Sequence, residues 1–475
     1  MNKIPFLTPR RLRDYPRLIG IALWAAWGLE VLLRHGWLGG LGQVIGSDFI
    51  AYYQAGWLDR FHPDLLYDFQ TQDQVQQTLT APTPLPGLTP FFSPPHVALA
   101  CRVLTVLPLP AALVTWWGLT LLLTLHAAWR LWYLLPPDLR SGPLPLPQFL
   151  VLIFSFFPFL VGWRMGQNHA LTLWLVVGIL EMERTGRPLL AGILAGLLLY
   201  KPHFVLGFLI LWTVWREWRA LAGFGAVAGA WVGADLALHG PARYGEYLAL
   251  NPTLLGLLKT GGFPAFAQVT PFSLLVTLLP GRSQPLWSPL SGLWLLAGCL
   301  AMGSWGIQQM VSGVALRGAD AREGKEPPAL REQPQEPPRR MGPKIHPVWR
   351  KIYLAMYLAL CRPESVSPRP TSGWMLALLF PLLVAPYTQL HDLLLLVPLL
   401  VLWAAREPSR CLLPTTVAVY LGGLFLPLLG APLGLALPAL IPVGVLFALI
   451  RCGAMRRDGA HPKTQRHKES LIFNC

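Results

Sequence analysis

The sequence is poor in charge. Only 13% of its 475 residues are Asp, Glu, Lys or Arg, whereas 53% are hydrophobic. A soluble globular domain carries about one-quarter charged residues, and a single soluble core stops growing at about 250–300 residues. A chain of this length and composition lacks the polar surface that water requires, which excludes a soluble protein. A lipid bilayer is the solvent that fits, and it admits only helices or closed barrels.

The sequence also lacks the alternating polar and apolar pattern of a membrane barrel. Its apolar runs are continuous and rich in Leu and Ala, which predicts helices. We therefore expect an all-α fold, a polytopic transmembrane helical bundle with about 11–13 spans. The runs lie at 18–33, 91–107, 111–135, 149–163, 170–180, 189–215, 220–238, 290–316, 374–384, 393–405, 412–429 and 433–450.

Acidic residues are scarce relative to basic ones, 23 against 38, so the formal net charge is +15. Such an excess can indicate nucleic-acid binding. Here the basic residues cluster in short loops and tails between apolar runs, as the positive-inside rule requires of a membrane protein. We therefore expect no nucleic-acid partner, both termini in the cytoplasm, and a multi-pass protein of the cell membrane.

The six cysteines are scattered and show neither disulfide-framework nor zinc spacing. We expect from them no bridges and no metal site. We expect no cleavable signal at the N-terminus, because the first apolar run is about as long as a membrane span and no small-residue cleavage site follows it.

The polar stretches divide the chain. A long, acidic loop after the first span suits the extracytoplasmic side, and we expect it to carry interfacial helices. The run at 91–107 is bounded by prolines, and we expect it to lie along or dip into the outer interface. The divisions are an N-terminal transmembrane module (1–316) containing the first external loop (34–90), a disordered Pro-rich charged cytoplasmic linker (317–350), C-terminal helices (351–450) and a basic cytoplasmic tail (451–475).

Asp48 is the first candidate for chemistry, because it opens an apparently amphipathic segment just after the first span. Taken alone, Ser47-Asp48 before an apolar run is more typical of a helix N-cap than of a catalytic acid. The neighbouring pair Tyr52 and Tyr53 is typical of interfacial anchoring, with a substrate platform as the alternative. His96, after a double proline at the expected water–lipid boundary, is more typical of an interfacial histidine than of a ligand.

Three further polar sites interrupt apolar runs. The stretch 164–169, with Arg164, Gln167 and Asn168, could be a simple hairpin turn. Lys201-Pro202 lies within an apolar run, where a lysine costs a few kcal/mol, so we favour a functional cavity there. The stretch 386–392, with Gln389 and the His391-Asp392 pair, is either a short loop or an oriented base.

The order of these motifs resembles glycosyltransferase family 87, the polyprenyl-phosphate-mannose-dependent mannosyltransferases of the GT-C fold. The likeness covers roughly residues 15–450. The chain departs from the family at three places. Ser93 replaces the usual aromatic residue of the Tyr-Pro-Pro segment, and the loop at 389–392 differs from the family's Trp-Asp-His-type run. The Pro-rich insertion at 317–350 is not a hallmark of the family. The likeness rests on Ser47-Asp48-Phe49 with Tyr52-Tyr53, Tyr67-Asp68, Phe92-Ser93-Pro94-Pro95, Gly166-Gln167-Asn168, Lys201-Pro202 and Pro386 to His391.

The resemblance implies a lipid-linked sugar donor as co-substrate, no other cofactor, and an active site on the extracytoplasmic face. Partners would be membrane lipids, a polyprenyl-phosphate sugar and a lipid or glycan acceptor. It implies Asp48 as catalytic base and His391 as second catalytic residue. We assign donor or phosphate binding to Lys201, Gln167, Arg164 and His96, and the substrate cavity to Tyr52, Tyr53, Asn168 and Gln389.

Two other functions remain open at this stage. A transporter or flippase of a lipid-linked intermediate would show internal repeats and midplane charges, whereas the polar sites here gather near one face and no repeat is evident. A non-catalytic scaffold would be insensitive to loss of the Asp48 carboxylate.

Overall fold

The chain folds into helices, as its apolar periodicity predicts. The structure is a computed structural model that describes residues 8–250, 253, 267–279, 284–322, 371–385, 388–406 and 411–452. Within those residues it contains no strand, only isolated bridges. The helices are α1 (Pro9–Leu32), α2 (Ser47–Phe61), α3 (Phe69–Thr80), α4 (Pro95–Cys101), α5 (Leu109–Leu134), α6 (Pro137–Ser141), α7 (Leu146–Phe154), α8 (Phe157–Met165), α9 (His169–Arg184), α10 (Pro188–Leu197), α11 (Pro202–Val214), α12 (Trp218–His239), α13 (Ala242–Ala249), α14 (Pro271–Leu278), α15 (Gln284–Arg322), α16 (Thr371–Val384), α17 (Leu396–Arg406), α18 (Leu412–Leu433) and α19 (Leu440–Arg451).

The polytopic helical bundle is confirmed. Among the described residues, four helices are long and apolar enough to cross a membrane, and α7 with α8 form a fifth if that pair, bent by 62°, is one span. Because an extended exposed apolar surface is stable only in lipid, the chain is a membrane protein. The expected 11–13 spans stay a prediction. The four are α5, α12, Pro289–Val311 within α15, and α18; shorter apolar helices are Pro95–Val106, Pro188–Tyr200, Pro202–Val214, Thr371–Val384 and Leu437–Arg451.

Several boundaries differ from the expected ones. The first helix, α1, begins at Pro9, well before the first apolar run at residue 18, and the Thr8 side chain caps it. The helix α15 continues to Arg322, into the expected linker. The rest of that linker, and the expected tail after residue 452, lie outside the described residues.

One cysteine expectation is wrong. Cys411 and Cys452 form a disulfide across 41 residues of sequence. They lie at the start of α18 and just after the end of α19, two packed helices. The spacing of cysteines along the chain cannot reveal such a pairing, because it is created by the antiparallel return of the second helix.

Small residues allow the helices of the bundle to approach closely. A Cβ on Gly192 of α10 would lie 1.9 Å from the Ala220 carbonyl of α12, and one on Gly223 would lie 2.3 Å from the Leu189 carbonyl. Contacts of this kind are typical of membrane helices, which gain stability from packing and not from the exclusion of water.

The first loop is packed into the bundle. Its helix α2 buries Phe49, Ile50 and Leu58 completely. The helix also lies against α4, where a Cβ on Gly56 would meet the Cys101 carbonyl at 2.3 Å. Consequently, α2 holds the side chains along it in fixed positions relative to the transmembrane helices.

Candidate active site

The N-terminus of α2 meets the C-terminus of α8 at two glycines in left-handed conformations. Gly46 has φ +68° and precedes α2, and Gly166 has φ +66° and ends α8. The Gly46 amide donates to the Arg164 carbonyl at 3.0 Å. A Cβ on Gly166 would lie 2.6 Å from the Phe49 Cβ. Because only glycine tolerates both the conformation and the contact, these two positions bring Asp48 against the turn after α8.

The expectation that Asp48 caps α2 is wrong. The N-cap is Gly46, and no side chain caps the helix. Instead, Gln167 Nε2 donates to Asp48 Oδ2 at 2.6 Å, and Ser47 Oγ lies 3.4 Å from Oδ1. The carboxylate is partly buried, so it is desolvated but still accessible.

Gln167 is fixed by its own partners. Its Oε1 accepts from Tyr52 OH at 3.1 Å and from the Asn168 amide at 2.9 Å. Asn168 Nδ2 in turn donates to Tyr52 OH at 3.1 Å. With Oε1 occupied as an acceptor, the amide group of Gln167 must point toward Asp48, which fixes the position of the carboxylate.

Burial raises the pKa of Asp48 to about 6, against the lowering effects of the Gln167 hydrogen bond and the Lys201 charge. A carboxylate with a pKa in this range is ionised at neutral pH, yet far more basic than an exposed one. That is the property of a general base.

Lys201 lies at a break between two short apolar helical segments. The 3₁₀ turn Leu198–Tyr200 ends before it, and Pro202 starts α11 after it. Lys201 Nζ donates to Asp392 Oδ1 at 2.8 Å and lies 3.3 Å from His391 Nε2. The lysine side chain is 12% exposed and that of Asp392 5%, so this cation is held in a mostly dry environment.

Asp392 holds the late loop as well as the lysine. Its Oδ2 accepts from the Gln389 amide at 3.0 Å at the start of the 3₁₀ helix Leu390–Leu395. Burial lowers the pKa of His391 to about 3, so this imidazole is neutral. Pro386 and Tyr387, which opened the predicted motif, lie outside the described residues.

The Asp48–Gln167 group and the Lys201–His391–Asp392 group lie close to one another. His169 Nδ1 lies 3.2 Å from the Gln167 carbonyl, and the His169 ring is 6.3 Å from that of His391. Both Lys201 and Asp392 act electrostatically on the Asp48 carboxylate. The structure thus brings together seven of the residues predicted from sequence: Asp48, Tyr52, Gln167, Asn168, Lys201, Gln389 and His391.

Three predicted site residues lie elsewhere. Arg164 pairs with Glu30 of α1 at 2.7 Å. Tyr53 points away from Tyr52, and its hydroxyl donates to the Leu107 carbonyl at 2.9 Å. His96 packs against Trp231 and lies 3.4 Å from Tyr244 OH.

Sequence reasoning missed a buried ionic network between the first loop and α12. Arg102 and Arg243 both bind the Asp59 carboxylate, and Arg243 also binds Asp235 at 3.1 Å. His239 lies 3.2 Å from Asp235. Asp235 could have revealed this network from sequence, because it is an acidic residue within an apolar run. Such residues in membrane helices almost always have a charged or polar partner.

In the described part of the chain, the side chains of Asp59, Asp235 and His239 are close enough to hold a metal ion, because their possible ligand atoms lie within 4.8 Å of one another. Both Asp59 oxygens and one Asp235 oxygen already accept from the two guanidinium groups. Because the arginines supply the positive charge that a cation would bring, we interpret the group as a structural ion network.

Comparison with known proteins agrees with this geometry. Residues 91–321 match the model of glycosyltransferase family 87. No curated protein and no solved structure matches the chain. The matched range contains the Gln167 turn and Lys201, whereas Asp48 and His391 come from the chain on either side of it. Over that range the chain is similar to glycosyltransferase family 87, and we conclude that it is a membrane-embedded transferase enzyme.

Proposed function

We propose that the protein transfers a hexose, with mannose the expected sugar, from a polyprenyl-phosphate donor to a lipid or glycan acceptor on the extracytoplasmic face of the cell membrane. The observation that carries this proposal is that Asp48, a partly buried carboxylate with a raised pKa, lies opposite Lys201, a cation held in a mostly dry site.

The first step is proton removal from the acceptor. Asp48 takes the proton of the acceptor hydroxyl, and the oxygen forms a bond to the anomeric carbon. The bond from that carbon to the phosphate oxygen breaks, and its electron pair leaves with polyprenyl phosphate. Attack opposite the leaving group inverts the anomeric centre. A phosphate monoester needs no acid catalyst to leave, so one carboxylate suffices where glycoside hydrolysis uses two.

The second requirement is compensation of the charge that develops on the phosphate. Lys201 supplies a full positive charge, and in a site of low dielectric such a charge stabilises a transition state more strongly than in water. Asp392 and His391 hold the ammonium at 2.8 and 3.3 Å, so it need not reorganise during the reaction.

A transporter of a lipid-linked intermediate is the alternative function. It needs alternate access to both sides of the membrane, and it makes no glycosidic bond. The match to a transferase family and the Asp48–Gln167 network both favour the enzyme.

The test is an assay of purified protein in lipid vesicles. The vesicles carry polyprenyl-phosphate mannose, with the glucose and arabinose analogues as controls, and an extract of envelope lipids as acceptor. We expect a new glycosylated lipid or glycan, detected by mass spectrometry, with mannose preferred. Movement of the donor between leaflets without any new glycosidic bond would favour the transporter and contradict the proposal.

A further inference from the structure

A narrow crevice lies where the turn containing Gln167 and His169 meets the 3₁₀ helix Leu390–Leu395. No volume for a water molecule remains between its walls, so a ligand group enters only when the side chains move apart. The residues that line it are His169, Thr172, Leu173, His391, Asp392, Leu394 and Leu395. The crevice adjoins both parts of the proposed site, because His169 contacts the Gln167 carbonyl and His391 and Asp392 contact Lys201.

The His169 imidazole is fixed in this wall. A Cβ on Gly162 would lie 2.5 Å from His169 Nδ1, so glycine is needed to admit the ring. The edge of the ring packs on Phe159 with 5.1 Å between centroids. The ring is 2% exposed, and its orientation is set by the bond from Nδ1 to the Gln167 carbonyl.

This bond determines the protonation of His169. A carbonyl only accepts, so the proton is on Nδ1 and Nε2 carries a bare lone pair. Within the described part of the chain, Nε2 is buried and has no partner. A buried acceptor without a partner destabilises the fold. A ligand that donates a hydrogen bond to Nε2 would remove this cost.

His391 presents the complementary group. His391 Nε2 lies 3.3 Å from both Lys201 Nζ and Asp392 Oδ1. Of these two contacts, only the one with the ammonium has hydrogen-bond geometry. An ammonium only donates, so Nε2 accepts and the proton is on Nδ1. His391 is 1% exposed, and its Nδ1 has no partner among the described residues. The crevice therefore has an acceptor on one wall and a donor on the other.

A hydroxyl group satisfies both atoms at once, because it donates one hydrogen bond and accepts others. A phosphate oxygen could accept from His391 but has no proton for His169, and an ammonium group could donate but not accept. We propose that His169 and His391 form a subsite that binds one hydroxyl of the donor sugar. This inference rests on the proposed function and adds to it a residue, His169, and a determinant of sugar specificity.

The test uses polyprenyl-phosphate hexoses that each lack one hydroxyl. A site built to bind a hydroxyl discriminates strongly against the deoxy analogue, because its polar groups are then left unpaired. We expect wild-type protein to use one of the deoxy donors about 10- to 100-fold less well in kcat/KM. In His169→Asn, the side-chain amide replaces the Nδ1 donor to the Gln167 carbonyl, but the Nε2 acceptor is lost. The discrimination against that one analogue should fall close to unity, and the ratios for the other analogues should not change.

His169→Gln is the matched variant, and it also serves if H169N does not fold. Its amide oxygen reaches the place of Nε2, so discrimination should be largely kept. Two results with an active wild type would overturn the subsite alone. One is that H169N keeps the full discrimination against the deoxy analogue. The other is that H169Q loses this discrimination while H169N keeps it. A wild type that transfers no sugar from any of these donors would instead overturn the proposed function, and this inference with it.

Discussion

At the scale of single residues, the site depends on where polar side chains are forced to point. Tyr52 and Tyr53 are adjacent in sequence, yet one hydroxyl joins the Asp48 network and the other bonds the Leu107 carbonyl. Neighbours on a helix are about 100° apart, so only one of them can face the site.

The pH dependence of turnover should report Asp48. Its pKa is raised to about 6, so the base is protonated and inactive below that pH and ionised above it. Turnover should fall about tenfold per pH unit below about 6 and level off above it. The Gln167 hydrogen bond lowers this pKa, so Gln167→Leu should move the acid limb to higher pH. Initial rates of wild type and Q167L between pH 4.5 and 8.5 provide the check, and an unmoved limb in Q167L would contradict the assignment.

Some of the site could be predicted at this scale and some could not. Asp48, Gln167 and Lys201 each interrupt or border an apolar run, and the energetic cost of polarity there made them visible. The fate of Arg164 was not visible, because its partner Glu30 comes from a helix 134 residues away in sequence. The role of Asp48 was obscured because Ser-Asp before an apolar run is also typical of a helix cap, and only the left-handed Gly46 settles the difference.

At the scale of elements, the site is assembled where helices end. The start of α2, the end of α8, the break before α11 and the 3₁₀ helix Leu390–Leu395 all contribute. Helix ends supply unpaired backbone groups and permit polar side chains, and in a membrane such irregular backbone must be buried in protein or line a cavity. The sequence reveals the breaks, but not which of them meet.

The close approach of α2 to the turn after α8 should be essential. Gly166→Ala introduces a methyl group 2.6 Å from Phe49 Cβ at a backbone with φ +66°, so we expect α2 to be displaced and turnover to fall at least about tenfold. Gly118→Ala in α5 is the control, because nothing lies within 4 Å of that position and alanine favours a helix by up to about 1 kcal/mol. Turnover and melting temperature of both variants provide the measurement. A fully active G166A would show that the approach does not position Asp48.

The Lys201–Asp392 pair should behave as a buried ion pair. Lys201→Met leaves the Asp392 charge without a partner, and Asp392→Asn does the same to the lysine, so each should destabilise the protein by about 3–5 kcal/mol. The double variant K201M/D392N removes both charges and should recover most of the stability, but not the turnover, because the phosphate then lacks its cation. Melting temperatures in detergent and turnover in vesicles separate the two effects. Recovery of turnover in the double variant would exclude Lys201 from the chemistry.

At the scale of the whole molecule, the polar first loop packs into a bundle of helices whose outer surface is largely apolar. Two ionic clamps hold this arrangement. The Asp59–Arg102–Asp235–Arg243 network joins the first loop to α12, and the Arg164–Glu30 pair joins α8 to α1, the helix that precedes the loop. Composition predicted the membrane environment, since the chain is only 13% charged. It could not predict these clamps, because each joins residues far apart in sequence.

The proposed orientation of the site can be tested by labelling. Gln43, in the segment before α2, and Ser141, beside Arg140 in the connection between α5 and α7, are both exposed. Gln43→Cys should react with an impermeant maleimide added outside intact cells, and Ser141→Cys only after permeabilisation. The reactivity of the unmodified chain gives the background from its own cysteines. The reverse pattern would place Asp48 on the cytoplasmic side.

The central claim is that the Asp48 carboxylate removes the acceptor proton, and its loss is the most direct test. Asp48→Asn keeps the size of the side chain and an oxygen for the Gln167 hydrogen bond, but not the base. Asp64→Asn makes the same change at an exposed acid of the same loop. With purified proteins in vesicles containing a polyprenyl-phosphate sugar, we expect turnover of D48N to fall by about 10²–10⁴-fold at unchanged folded yield, and turnover of D64N to match wild type. Equal turnover of D48N and wild type would contradict the account.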